Sequence, residues 1–184
     1  MQIQSLPIPD VKVLTPRRIA DSRGFFSETF SEAAWQSAGL HASFVQDNHV
    51  YSVGKGILRG LHYQLPPAAQ GKLVRVTRGA ILDVAVDIRP TSPTFGKHVS
   101  AILTAENWHQ IWIPSGFAHG YVTLENDTEV LYKVTDLYAP DLERGIRWND
   151  PALAIDWRIA EGDVVLSPKD RAQPLLKDAE LFSD

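Results

Sequence analysis

Hydrophobic residues in this chain come in short runs, rich in Val, Ile, Leu and aromatic side chains, with turn-forming residues between them. That recurrence predicts many short strands. The candidates are FFSETF, SFVQDNHVYSV, ILRGLHYQ, KLVRVTRG, AILDVAVDIR, HVSAILTA, HQIWIP, GYVTLE and EVLYKVTDLY, which fill most of the span from Phe25 to Tyr138. Alternation is clearest in AILDVAVDIR, where Leu82, Val84, Val86 and Ile88 share one face and Asp83, Ala85, Asp87 and Arg89 the other. One helix stands out, in SEAAWQSAG. Ser31 can accept from the orphan N–H groups at its start, Ala33, Ala34 and Trp35 favour the helix, and Gly39 can end it. Many strands without strand–helix alternation predict an all-β fold, an antiparallel sandwich, jelly roll or barrel with short peripheral helices. No repeat or linker divides the chain, so residues 1–184 are expected to form a single domain. The stretch from Ser167 onward is polar and punctuated by proline, the pattern of a loose end.

Composition narrows the function. A chain of 184 residues can bury roughly 70% of its unfolded surface without staples. It has no cysteine, which removes disulfides, thiolate nucleophiles and cysteine-bound metal, and suits a reducing cytoplasm. The N-terminus lacks a basic region followed by a long apolar run, and no stretch approaches the ~20 apolar residues of a membrane span. A soluble, cytoplasmic protein is expected. The net charge of -4, with basic residues scattered, offers no footprint for nucleic acid or an anionic membrane. A phosphate would have to be met by individually placed arginines and lysines.

Two stretches hold the candidate chemistry. GILRGLHYQLPPAAQGKLVRVTRG, residues 56 to 79, sets Arg59, His62, Gln64, Gln70 and Lys72 among apolar residues and glycines. In IWIPSGFAHGYVTL, residues 111 to 124, a Pro-Ser-Gly turn leads His119 into a strand. Either histidine alone is readily a structural one. Together the stretches resemble the paired motifs of the cupin superfamily, small antiparallel jelly rolls: Gly56 precedes His62 at the motif's spacing, and Pro114, Gly116 and His119 keep the second motif's. Metal-binding cupins usually carry a second histidine two positions after the first and a glutamate beyond it. Here Gln64 takes that position, and no acid occurs between His62 and Gly79. Two histidines without a carboxylate make a poor metal site, so no metal is expected and the histidines are available for proton transfer.

A closer resemblance covers nearly the whole chain. DSRGFFSETF, FVQDNHVYS, GILRGLHYQ, QGKLVRVTRGAILDVAVDIRPTSPTFGK, IPSGFAHGYVTL, VLYKVTDLYAPDLERGIRWNDP and LSPKD are similar to the dTDP-4-dehydrorhamnose 3,5-epimerase family. That resemblance implies a cofactor-independent isomerase that inverts C3 and C5 of a dTDP-linked 4-keto-6-deoxyhexose, in dTDP-rhamnose biosynthesis. Both carbons flank the ketone, so the reaction needs a base and a stabiliser for the enolate oxygen. The resemblance implies His62 as base, Asp170 as its orienting carboxylate, Tyr132 as the acid on the opposite face and Lys72 beside the ketone. In EVLYKV, Tyr132 is in phase with Val130 and Val134, on the apolar side.

The resemblance also implies substrate-binding roles for Arg23, Phe25, Glu28, Gln46, Asp47, Asn48, His49 and Arg59, with arginine forks suited to a diphosphate. His119, Glu143 and Lys169 match positions near the substrate, and His119 can also pair with Asp83. The family is homodimeric, so some of these residues are expected to act across a subunit interface. Strict alternation would put Arg59 and His62 on opposite faces of one strand. Gly60 between them can mark a bulge that breaks the phase. Three other readings stand beside this one: an epimerase acting at one carbon only, a metal-dependent cupin oxygenase or isomerase, and a noncatalytic sugar-binding jelly roll.

Overall fold

In the computed structural model, which describes residues 1–182, the alternating runs become strands that pair antiparallel. In chain order they are β1 (Gln2–Ser5), β2 (Lys12–Thr15), β3 (Ile19–Asp21), β4 (Gly24–Phe26), β5 (Gln46–Ser52), β6 (Leu58–Gln64), β7 (Lys72–Arg78), β8 (Ala80–Asp87), β9 (His98–Thr104), β10 (Gln110–Ile113), β11 (Phe117–Thr123), β12 (Thr128–Val134) and β13 (Glu143–Gly145). A six-stranded sheet runs β1-β2-β10-β7-β12-β5, and a five-stranded sheet runs β13-β6-β11-β8-β9. Strands β3 and β4 form a separate hairpin. This is a jelly roll, one of the architectures the strand pattern allows and the one the cupin resemblance implies.

The two sheets meet through their inner faces. Val74, Val76, Ile111 and Val130 of one pack against Ile81, Ala85, Val99 and Phe117 of the other. Each of these valine, isoleucine and phenylalanine side chains contributes about 1.5–3 kcal/mol when fully buried. The outer faces are covered too. Leu58, Leu61, Val84 and Val86 lie beneath Trp148, Leu153 and Trp157, and Leu14, Leu73 and Trp112 lie beneath Trp35. Strand β8 is therefore buried on both faces, and its Asp83–Asp87 side faces the interior of the barrel rather than water.

The helix α1 (Glu32–Ser37) forms where expected. Ser31 Oγ accepts from the Ala34 N–H at 3.4 Å, and Trp35 is buried. FFSETF, expected as one strand, stays extended only to Phe26. Beyond it the chain turns over the six-stranded sheet, where Gln110 Nε2 donates to the Thr29 carbonyl at 3.0 Å.

The C-terminal stretch is not a loose end. Tyr63 Oη donates to the Glu180 carbonyl at 2.6 Å, and Arg144 bonds the Glu180 carboxylate at 2.7 Å. Between the Trp157 region and this anchor lies a short helix, α2 (Pro168–Arg171), capped by Ser167. No helix among the described residues is long and apolar enough to cross a membrane.

Candidate active site

Strand β6 carries His62, and a defect in its pairing decides where His62 points. On β11, His119 faces His62 and Tyr121 faces Arg59, so three steps along β6 match two along β11. The extra residue falls at Gly60–Leu61. Gly60 has φ +131°, and a Cβ there would lie 2.5 Å from Gly120 Cα. Glycine thus lets the strands approach and breaks the alternation. The result puts Arg59 and His62 on the wall of one cavity, about 260 Å³ in volume, lined also by Lys72, His119, Tyr132 and Asp170.

His62 Nε2 donates to Asp170 Oδ1 at 2.5 Å across a separation of 108 residues. Asp170 is delivered by α2 and is itself held by Ser167, whose Oγ donates to Oδ2 at 2.6 Å and accepts from the Asp170 N–H at 3.1 Å. Burial works against charge on Asp170, but the hydrogen bonds from His62 and Ser167 prevail and hold the carboxyl below its ordinary value. With Nε2 engaged, Nδ1 is the ring nitrogen left to accept a proton.

Lys72 starts β7 in the opposing sheet. Its Nζ reaches the His62 carbonyl at 3.4 Å, and burial pushes it down to about 8, against the pull of Asp83 and Glu143. It is no solvated edge lysine. Tyr132 comes from β12 of that same sheet, between the buried Val130 and Val134, and burial raises its hydroxyl despite Arg59 nearby. His62 and Tyr132 therefore enter the cavity from opposing sheets. His119 donates Nε2–H to buried Asp83 at 2.9 Å, and burial lowers its basicity although Asp83 favours the charged form. At the rim, Glu143 Oε2 accepts from Lys169 and from Tyr138 Oη, each at 2.5 Å.

The remaining expected residues divide. Gln46 and Asn48 share the inward-leaning face of β5 with Val50, which lines the cavity, and Gln46 Nε2 donates to Asn48 Oδ1 at 2.8 Å. Period-two alternation turns Asp47 and His49 to the other face, where they pair with Lys133 at 2.7 Å and Glu129 at 3.1 Å. Arg23, Phe25 and Glu28 lie outside this cavity. Arg23 is exposed on the β3–β4 hairpin and bonded to Asp21, while Phe25 packs edge-on against Trp108. Sequence reasoning overlooked Ser167 and Tyr121 on the cavity wall, and Tyr138 at the rim. Ser167 was findable: a serine three residues before Asp170, with proline between, is a helix-start signature.

The donor set suits proton transfer. Each cavity histidine already donates to one carboxylate, and among the described residues no three His, Asp or Glu side chains converge as metal ligands. The Gln64 carboxamide is bound to backbone groups instead of the cavity.

The chain is similar over nearly its full length to known proteins. The family model described as dTDP-4-dehydrorhamnose 3,5-epimerase matches residues 5–178. Enzymes of that name from Pseudomonas aeruginosa and Sinorhizobium fredii are each 52% identical, over 99% of both chains for the first and over 96% of this chain and 90% of the relative for the second. The Legionella pneumophila epimerase in complex with dTDP-4-keto-L-rhamnose superposes with a TM-score of 0.92 at 48% identity, covering 96% of this chain and 93% of that one. A 3'-monoepimerase from Streptomyces bikiniensis bound to dTDP-quinovose is more distant, with a TM-score of 0.86 at 32% identity over 94% of this chain and 87% of its own. A cupin-type jelly roll, a paired histidine and carboxylate in its cavity and these full-length likenesses together make this chain a member of the dTDP-4-dehydrorhamnose 3,5-epimerase family.

Proposed function

We propose that this protein converts dTDP-4-dehydro-6-deoxy-D-glucose to dTDP-4-dehydro-L-rhamnose in the formation of dTDP-rhamnose, by removing and returning protons at C3 and C5. The observation that carries this reading is the juxtaposition of the His62–Asp170 pair with Tyr132 from the opposing sheet around one cavity. His62 Nδ1 takes the proton beside the C4 ketone, and the electron pair of the broken C–H bond moves onto the ketone oxygen. The Lys72 ammonium balances that charge, and Asp170 balances the imidazolium. Tyr132 gives a proton to the other face of the carbon, so the centre inverts. No cofactor enters this scheme. A cavity of about 260 Å³ suits the hexose, with the nucleotide extending past Arg59 and the Glu143–Lys169 rim.

A second element of the reading concerns assembly. The exposed hairpin bearing Arg23, Phe25 and Phe26 lies outside this chain's cavity, which supports a homodimer in which it serves the neighbouring site. We place the enzyme in the cytoplasm, which suits a chain without cysteine.

The test is incubation with the substrate in deuterated water, followed by NMR. Deuterium is expected at both C3 and C5, and His62→Ala should slow its entry by roughly 10²–10⁴-fold. Undiminished exchange in that variant removes His62 as base. Label at one carbon only identifies a single-carbon epimerase, and tight binding without exchange identifies a noncatalytic sugar binder.

A further inference from the structure

Gln64 stands two residues beyond His62 and is 3% exposed. Its Nε2 donates to the carbonyls of Ala68 at 2.7 Å and Leu137 at 3.1 Å, and its Oε1 accepts from the Ala139 N–H at 2.9 Å. Two more glutamines grip the same segment. Gln70 Nε2 donates to the Asp136 carbonyl at 2.8 Å, and Gln46 Oε1 accepts from the Tyr138 N–H at 3.2 Å. Three side chains from separate parts of the chain thus satisfy the backbone of residues 136–139. Turn segments usually leave such groups to water, so fixed partners here mean a fixed loop.

What this segment carries gives the arrangement its meaning. It joins β12, which holds Tyr132, to β13, which begins at Glu143. Tyr138 at its crest is 54% exposed and donates to the Glu143 oxygen that also holds Lys169. The hydrogen bonds of His62, Asp170 and Lys72 go elsewhere. We propose that Gln64 is a positioning residue that fixes the Tyr138–Glu143–Lys169 rim through the backbone of Leu137 and Ala139, and thereby governs affinity for the nucleotide sugar rather than the rate of proton transfer. The proposal rests on the nucleotide-sugar reading above.

The experiment compares Gln64→Leu and Gln64→Glu with the unaltered protein, using dTDP as binding probe. For Gln64→Leu, the Kd for dTDP and the KM should each rise about tenfold, with kcat within about threefold, the signature of lost uniform binding. Exchange of the Ala139 amide proton should quicken in that variant. In Gln64→Glu, burial beside the Ala68 and Leu137 carbonyls pushes the new carboxyl above its ordinary value, and protonation restores one donor beside the acceptor, so dTDP affinity relative to the unaltered protein should partly recover on going from about pH 8 to about pH 5.5. A purely structural glutamine would lower Tm without the KM-against-kcat split or this recovery. Unchanged Kd and KM in Gln64→Leu, or an equal loss in kcat, overturns the proposal. Failure of the unaltered protein to bind dTDP would instead refute the nucleotide-sugar reading, and unchanged Ala139 exchange in Gln64→Leu would still refute the clamp.

Discussion

Asp170→Asn removes one charge and keeps the side chain's shape, which isolates the electrostatic part of the His62–Asp170 pair. The Asp170 side chain is 5% exposed and that of His62 27%, so solvent screens the contact only in part. With charge centres about 4 Å apart and an effective dielectric of about 20, imidazolium and carboxylate attract by about 4 kcal/mol. This attraction exists only once His62 has taken the proton, so its loss falls on the transition state. At about 1.36 kcal/mol per factor of ten, that is a slowing of roughly 10³-fold. The carboxamide adds a second penalty. Its NH₂ can turn toward Nε2, which forces the proton onto Nδ1 and leaves the base in the wrong tautomer. Deuterium entry at C3 and C5, followed by NMR in single turnover, should therefore slow by about 10³–10⁴-fold while Tm stays close to that of the unaltered protein. A slowing of less than about tenfold in a folded variant would mean that Asp170 is an anchor for α2 and not a partner in proton transfer.

Other expectations follow from the same geometry. Tyr132→Phe should preserve deuterium entry better than net inversion at C5, which should fall by roughly 10²-fold; equal losses in both would remove Tyr132 as the acid. As pH rises through about 8, Lys72 loses the charge that balances the enolate, so kcat/KM should decline on that limb. In Lys72→Arg the cation persists and the residual activity should lack the decline; an unchanged limb would assign it to another group. Gly60→Ala meets both a φ of +131° and Gly120 Cα at 2.5 Å, a cost of about 3 kcal/mol and a fall in Tm of roughly 6–12 °C. A fall under about 2 °C would show that the β6–β11 approach can relax.

Much of this was legible in the sequence because period-two patterning survives in the strands, as in Leu82, Val84, Val86 and Ile88. The same rule explains where reading stopped. It separates Gln46 and Asn48 from Asp47 and His49 only once the orientation of β5 is known, which depends on its partner β12. It would have separated Arg59 from His62 but for one inserted residue, and a glycine marks such a place without proving it. Asp170 was identified by family motif alone, since nothing local reveals that α2 folds back over 108 residues to β6. The buried role of Gln64 was hidden for a different reason. A glutamine bound to backbone reads, letter by letter, like one left in solvent.

The long return path of Asp170 separates the integrity of the barrel from its competence. The sheets are built from strands lying between Gln2 and Gly145, whereas α2 docks through Ser167, the Glu180 anchor and the His62 contact. Contacts that close long loops carry the greater chain-entropy cost, and peripheral segments open at lower free energy than central strands. Mild denaturant or proteolysis near Ser167 should therefore abolish turnover while β-sheet circular dichroism is still intact, and on refolding, activity should return after the strands. In this molecule the enzyme assay measures whether α2 has come home.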